Sequence, residues 1–151
     1  MKRIRLILIL LVVIACYGRA PAAQAAADRT LLLANPLYRH FAKVYPGREV
    51  VTWACKDLDN DGRDDLILIY KVDKEKKAMR VILNAKGKYA ITNDVPAPVS
   101  NQVITFKDID KKPPMEFIVQ GAKGSKVGYA VYRIENGKLV DLFGEGMADC
   151  C

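Results

Sequence analysis

Residues 53–70 read Trp53-Ala54-Cys55-Lys56-Asp57-Leu58-Asp59-Asn60-Asp61-Gly62-Arg63-Asp64-Asp65-Leu66-Ile67-Leu68-Ile69-Tyr70. Five carboxylates fall within nine residues, between two stretches of β character. Val50, Val51 and Trp53 lead into the acidic loop, and the apolar run 66–70 leaves it. Residues 78–84 give the next strand and 85–88 a tight turn. Residues 89–92 give a further strand, and 93–100, with Pro96 and Pro98, a linker.

The pattern then recurs. KDLDNDGRDDLIL, residues 56–68, aligns without gaps onto KDIDKKPPMEFIV, residues 107–119. Lys56 falls on Lys107, Asp57 on Asp108, Asp59 on Asp110 and Asp65 on Glu116, a spacing of 51 residues. The second copy continues with strands at 127–134 and 139–143 around a turn at 135–138. A period of this length with four strands per unit resembles a β-propeller blade. Two units cannot close a propeller. The expected fold is mainly β with one N-terminal helix: two degenerate blade-like units, about 48–98 and 99–147, packed as a single open module.

Outside the repeat, Asn35-Pro36 is a helix-start signal, with Asn as N-cap and Pro in the first turn. Leu37, Phe41 and Val44 share one helical face, and Pro46-Gly47 ends the helix. His40, the sole histidine, is expected on the exposed side, so no Ser-His-Asp triad is indicated.

Further upstream, Lys2, Arg3 and Arg5 precede an apolar run at 6–15 and the alanine-rich segment 20–27, the layout of a secretory signal peptide. Cleavage after the small residues near Ala25–Ala27 competes with lipoprotein processing at Val13-Ile14-Ala15-Cys16. Both routes place a single domain, 28–151, outside the cytosol: in the periplasm or at the cell surface, membrane-bound only if Cys16 is lipidated. Four of the 24 basic residues and none of the 17 acidic ones precede Asp28, which lowers the net charge from +7 to +3 for the exported part. With the remaining lysines scattered, no nucleic-acid partner is indicated.

The acidic loop has the composition of a hard-cation site. Counting from Asp57, carboxylates stand at positions 1, 3, 5 and 9 (Asp57, Asp59, Asp61, Asp65). Gly62 at position 6 permits a sharp turn, and Arg63 at position 7 offers a carbonyl. Leu68 at position 12 excludes an EF-hand. The loop resembles the D-x-D-x-D-G-x-x-D calcium loops of FG-GAP repeats in integrin-type propellers. That resemblance implies a structural Ca2+ held by Asp57, Asp59, Asp61, Asp65 and the Arg63 carbonyl, with Asp64 outside the ligand set. In the second copy Lys112 replaces the acid at position 5 and Pro113 the glycine, so no metal is expected there. Lys112 itself is a candidate for the missing positive charge.

The sequence ends Gly144-Glu145-Gly146-Met147-Ala148-Asp149-Cys150-Cys151, a cysteine pair expected on a flexible, glycine-containing tail. In an oxidising compartment a cysteine is first a candidate bridge, and Cys55, Cys150 and Cys151 make an odd set once Cys16 is processed. Three readings stand side by side. One is a structural bridge from Cys55 to Cys150 or Cys151. Another is redox exchange by the tail pair, with Cys55 as a possible resolving partner. The third is soft-metal binding. With the leader and the size, the terminal pair resembles the bacterial Cys-Cys-COOH (seleno)protein family, which implies thiol reactivity as the purpose of the tail. Two functions follow as expectations: an exported thiol-redox or thiol-carrier protein on a calcium-stabilised β-module, with an unknown thiol or envelope partner, or a non-enzymatic envelope module that binds a protein through a sheet face.

Overall fold

In the computed structural model of the chain, residues 21–151 are described, with side chains from Asp28 onward. The apolar leader and the Cys16 processing site lie outside them. Helix α1, Pro21–Ala34, falls almost wholly in a first unit, residues 1–33, and its backbone is helical across the expected boundary at Ala27. No helix among the described residues is long and apolar enough to cross a membrane.

Residues 34–151 form the second unit. It contains α2 (Pro36–Val44), then β1 (Val50–Lys56), β2 (Asp65–Lys71), β3 (Lys77–Ala85), β4 (Lys88–Ile91) and β5 (Val95–Ala97). Next come β6 (Ser100–Phe106), β7 (Phe117–Lys123), β8 (Lys126–Glu135) and β9 (Lys138–Glu145), then a helical turn α3 (Met147–Cys150). The unit is mainly β, and all strand pairs are antiparallel. One sheet runs β1-β2-β3-β4 and the other β6-β7-β8-β9, and neither closes into a barrel. The expected linker at 93–100 is partly strand: β5 shares the far edge of β3 with β4, pairing residues 77–79 while β4 pairs residues 82–85. Pro96 is tolerated there because β5 is an edge strand.

The 51-residue repeat survives in the backbone. Asn60 and Lys111, one period apart, are both left-handed (φ 63° and 59°) at the tips of the two β-loops. The second turns match at a spacing of 50, Lys86-Gly87 and Asn136-Gly137 all having positive φ.

Strand alternation explains the core. Ile67, Ile69, Met79, Val81 and Leu83 face Phe117, Val119, Ala130, Tyr132 and Ile134 of the second sheet in one buried cluster. Leu66, Leu68, Tyr70 and Ile82, on the opposite face, are buried as well, because α2 packs on that side. Asn35 starts α2 by accepting the Leu37 N–H at 2.8 Å. Phe41 is fully buried with its ring 5.2 Å from Tyr70, a burial that contributes about 1.5–3 kcal/mol. The third expected stripe residue, Val44, is 49% exposed. Tyr45 takes its place, under the Arg80 guanidinium at 4.8 Å. His40 is half-buried, not exposed, its ring edge-on to Tyr89 at 5.5 Å. The two repeats are clipped by Asn93, whose amide donates to the Leu139 carbonyl at 3.0 Å and accepts the Leu139 N–H at 2.9 Å.

Candidate functional site

The first loop joins β1 to β2, and its left-handed Asn60 and Gly62 (φ 84°) fold it back on itself. Carboxylate oxygens of Asp57, Asp59 and Asp61 lie within 4.8 Å of one another, which is the widest separation two ligands at about 2.4 Å from one cation can have. The loop's own donors partly offset the repulsion. Asp57 accepts the Asp61 and Gly62 N–H groups at 3.2 and 2.9 Å. The Arg63 guanidinium reaches Asp61 at 2.5 Å and the Asn84 carbonyl at 2.9 Å. Burial and the nearby Asp61 still hold the Asp59 carboxyl above its ordinary range.

Asp65 does a different job. It is fully buried, and its two oxygens accept the Leu58 N–H at 3.0 Å and the Asn84 N–H at 2.9 Å, so it ties the loop to β3. Burial pushes its carboxyl up to about 6. Glu116 repeats the arrangement one period later, buried and accepting the Ile109 N–H at 2.9 Å. A carboxylate at position 9 is therefore a backbone staple in both copies, and it stands outside the converging group of three in the first.

In the second copy, Asp108, Asp110 and Glu116 also converge. Lys112 donates its backbone N–H to Asp110 at 2.9 Å and, with Arg133, helps hold the Asp110 carboxyl below its ordinary range. Arg133 of β8 supplies the charge, with Nη1 2.9 Å from both Asp110 and Glu116 and Nη2 2.9 Å from Glu135. By strand register Arg133 occupies the place of Leu83 in the first copy, since Leu66 pairs with Ile82 as Phe117 pairs with Tyr132.

The three described cysteines are free thiols. Cys55 lies half-buried on β1, accepting from the Asn35 amide at 3.6 Å, and burial and then Asp64 push its thiol up. Cys150 and Cys151 gather instead around Met147: the two thiol sulfurs are 3.3 Å apart, and the Met147 thioether is 3.7 Å from one and 3.9 Å from the other. Burial and the contact with Cys150 push the Cys151 thiol up to about 12. Burial, Asp141 and the tail thiols raise the Tyr132 phenol.

The tail, read in sequence as flexible, is docked. Gly146 turns it in a left-handed conformation (φ 68°). The Gly146 carbonyl then accepts the Asp149 and Cys150 N–H groups at 3.1 Å, and the Cys150 carbonyl accepts the Val99 N–H at 3.0 Å. Gly128 of β8 makes room: a Cβ there would meet Gly146 backbone atoms at 2.6 Å and the Cys150 sulfur at 2.8 Å. Cys150 is fully buried, whereas Cys151 and Met147 line a cleft of ≈ 310 Å³ with Tyr132, Asp141, Val95 and Pro96. Met147, Gly128 and Arg133 were not singled out in the sequence. The signal for Met147 was its i, i+3, i+4 relation to the two cysteines, which places all three on one face of a helical turn.

No protein-family model matches this chain, and no match was found among curated proteins or solved structures.

Proposed function

We propose that this is an exported thiol protein whose working group is the Cys150–Cys151 dithiol, used for exchange with, or carriage to, a thiol partner in the cell envelope. The observation that carries the reading is the docked pair itself, two unbonded sulfurs 3.3 Å apart with Cys151 facing a cleft. The pair is held in place by a glycine cut away beneath the buried Cys150 sulfur and by a backbone hydrogen bond to the Cys150 carbonyl. In exchange, the pair gives two electrons and two protons to an incoming disulfide, which leaves as two thiols while Cys150 and Cys151 close a vicinal disulfide. Cys55, facing Asn35 and Asp64, has no part in this step.

In the same reading the two sheets are degenerate blade-like units, and Ca2+ staples the first loop through Asp57, Asp59, Asp61 and the Arg63 carbonyl. Asp65 positions the loop from below. The second loop needs no ion because Arg133 supplies its positive charge. The tail and the leader carry the resemblance to the Cys-Cys-COOH family.

The test is a redox titration of the pair in glutathione buffers with calcium present, read by thiol labelling, beside a Cys150→Ser/Cys151→Ser variant. Loss of two labels together at a midpoint above about −300 mV supports exchange. A pair that stays reduced or stays oxidised throughout defeats it.

One observation favours a second reading, a protein-binding envelope module. The first sheet's outer face is covered by α2, whereas on the second sheet Val127, Tyr129 and Phe143 are 72%, 37% and 56% exposed, the two aromatic rings touching at 6.0 Å. Loss of partner capture on Phe143→Ser, with the tail pair unchanged, would select this reading.

A further inference from the structure

The tail holds three sulfurs, not two, and their spacing is specific. Separations of 3.3, 3.7 and 3.9 Å put Met147 Sδ, Cys150 Sγ and Cys151 Sγ on a circle whose radius is about 2.1 Å, close to the metal–sulfur distance of about 2.3 Å. One ion at its centre would sit in bonding range of all three after shifts of about 0.2 Å per ligand. We infer that Met147, Cys150 and Cys151 form a three-coordinate site for a soft monovalent cation, copper(I). The inference deepens the proposed function by naming the cargo of the dithiol, and it rests on that reading.

The donor set decides the metal. Two thiolates and a thioether are soft ligands that select copper(I), and a methionine is not among the usual ligands of zinc. The one side-chain carboxylate on the turn itself is engaged elsewhere, Asp149 pairing with Lys126 at 3.0 Å. The helical turn sets the geometry, because residues i, i+3 and i+4 fall on one face, and Gly146 starts that turn where β9 ends. Access comes from the cleft lined by Cys151, Met147 and Tyr132, while Cys150 closes the buried side. Binding is an acid–base exchange without electron transfer. Copper(I) replaces the two thiol protons, which pass to solvent, and the Met147 thioether adds a lone pair without losing anything.

The full chain, reduced and kept anaerobic, is titrated with copper(I) against a chromogenic copper(I) chelator, and the loaded form is examined by copper X-ray absorption. The expected result is one ion per chain with three sulfur neighbours at about 2.3 Å. Cys55→Ser is expected to bind as the parent does. Met147→Leu keeps both thiols and the packing volume, yet weakens binding by at least the about tenfold that loss of even an outer-shell partner costs, and lowers the sulfur count to two. Equal affinity and an unchanged spectrum for Met147→Leu would overturn the three-sulfur site while leaving the dithiol reading intact. A parent chain that binds copper(I) no better than Cys150→Ser/Cys151→Ser would overturn the metal site altogether. In that case the separate glutathione titration still decides whether the thiols exchange electrons.

Discussion

Gly128→Ala tests whether the tail is clamped. The added Cβ would stand 2.6 Å from Gly146 backbone carbon and oxygen and 2.8 Å from the Cys150 sulfur. Those atoms are backbone and a fully buried side chain, so relief requires moving the turn away from β8. Overpacking of this kind costs about 1–3 kcal/mol, and alanine recovers about 0.5–1 kcal/mol over glycine within a strand. The net loss of about 1–2 kcal/mol falls on tail docking, which raises the undocked fraction by a factor of about 5–30. The assay is alkylation of the native protein with iodoacetamide, with Cys150 followed by peptide mapping and melting recorded in parallel. Cys150 is expected to label about 5–30 times faster in the variant than in the parent. Gly124→Ala serves as control: unlike Gly128, Gly124 has positive φ (62°), and its Cβ meets nothing within 4 Å, so the change strains a turn without freeing the thiol. Parent Cys150 labelling as fast as in denaturant, or Gly128→Ala matching the parent in both readouts, would refute the clamp.

Calcium should raise the melting temperature of the parent by an amount that grows with concentration, about 2.7 kcal/mol at a hundredfold excess over Kd; Asp59→Ala should lose this dependence. Arg133→Met should destabilise by about 3 kcal/mol, because it leaves the buried Glu116 charge unpaired. Adding Glu116→Gln should restore most of that loss, and denaturant melts that show no recovery would assign Arg133 a different role. The pH dependence follows from Asp65, whose carboxyl moves from an ordinary 3.8 to about 6 in the fold. Between those values the folded chain binds more protons than the unfolded one, so without calcium this group makes stability fall as pH rises from about 4 to 6, and level off above. Exposed acids contribute the opposite slope, so the measurement is the difference between parent and Asp65→Asn melts across that window; identical profiles would contradict the assignment.

What the sequence made legible was whatever a local pattern controls. The period linking Lys56 to Lys107 fixed eight of the strands, because each copy repeats both its alternation and its turn residues. Asn35-Pro36 fixed the start of α2 through one side-chain hydrogen bond. Long-range packing stayed hidden. Val95–Ala97 carries two turn-like features, a proline and a short length, yet pairs because β3 is longer than β4 and leaves an edge free. Asp65 reads as a ligand by spacing; that its oxygens also accept the Leu58 and Asn84 N–H groups follows only from the approach of β3. Arg133 lies 23 residues from Asp110, so no loop motif could name it as the second loop's cation. The glycines around Cys150 suggested mobility because an isolated glycine run permits many conformations; here Gly128 and Gly146 serve close approach instead.

The most direct test of the dithiol as working group is the intact mass of the protein taken from the cell envelope, alkylated under denaturing conditions before any reduction. The expected spectrum shows a chain processed near Ala27 or lipidated at Cys16. Its tail cysteines should be labelled or protected only as a pair, with Cys55 labelled throughout. An unprocessed chain confined to the cytosol, or a bridge joining Cys55 to one tail cysteine, would contradict it.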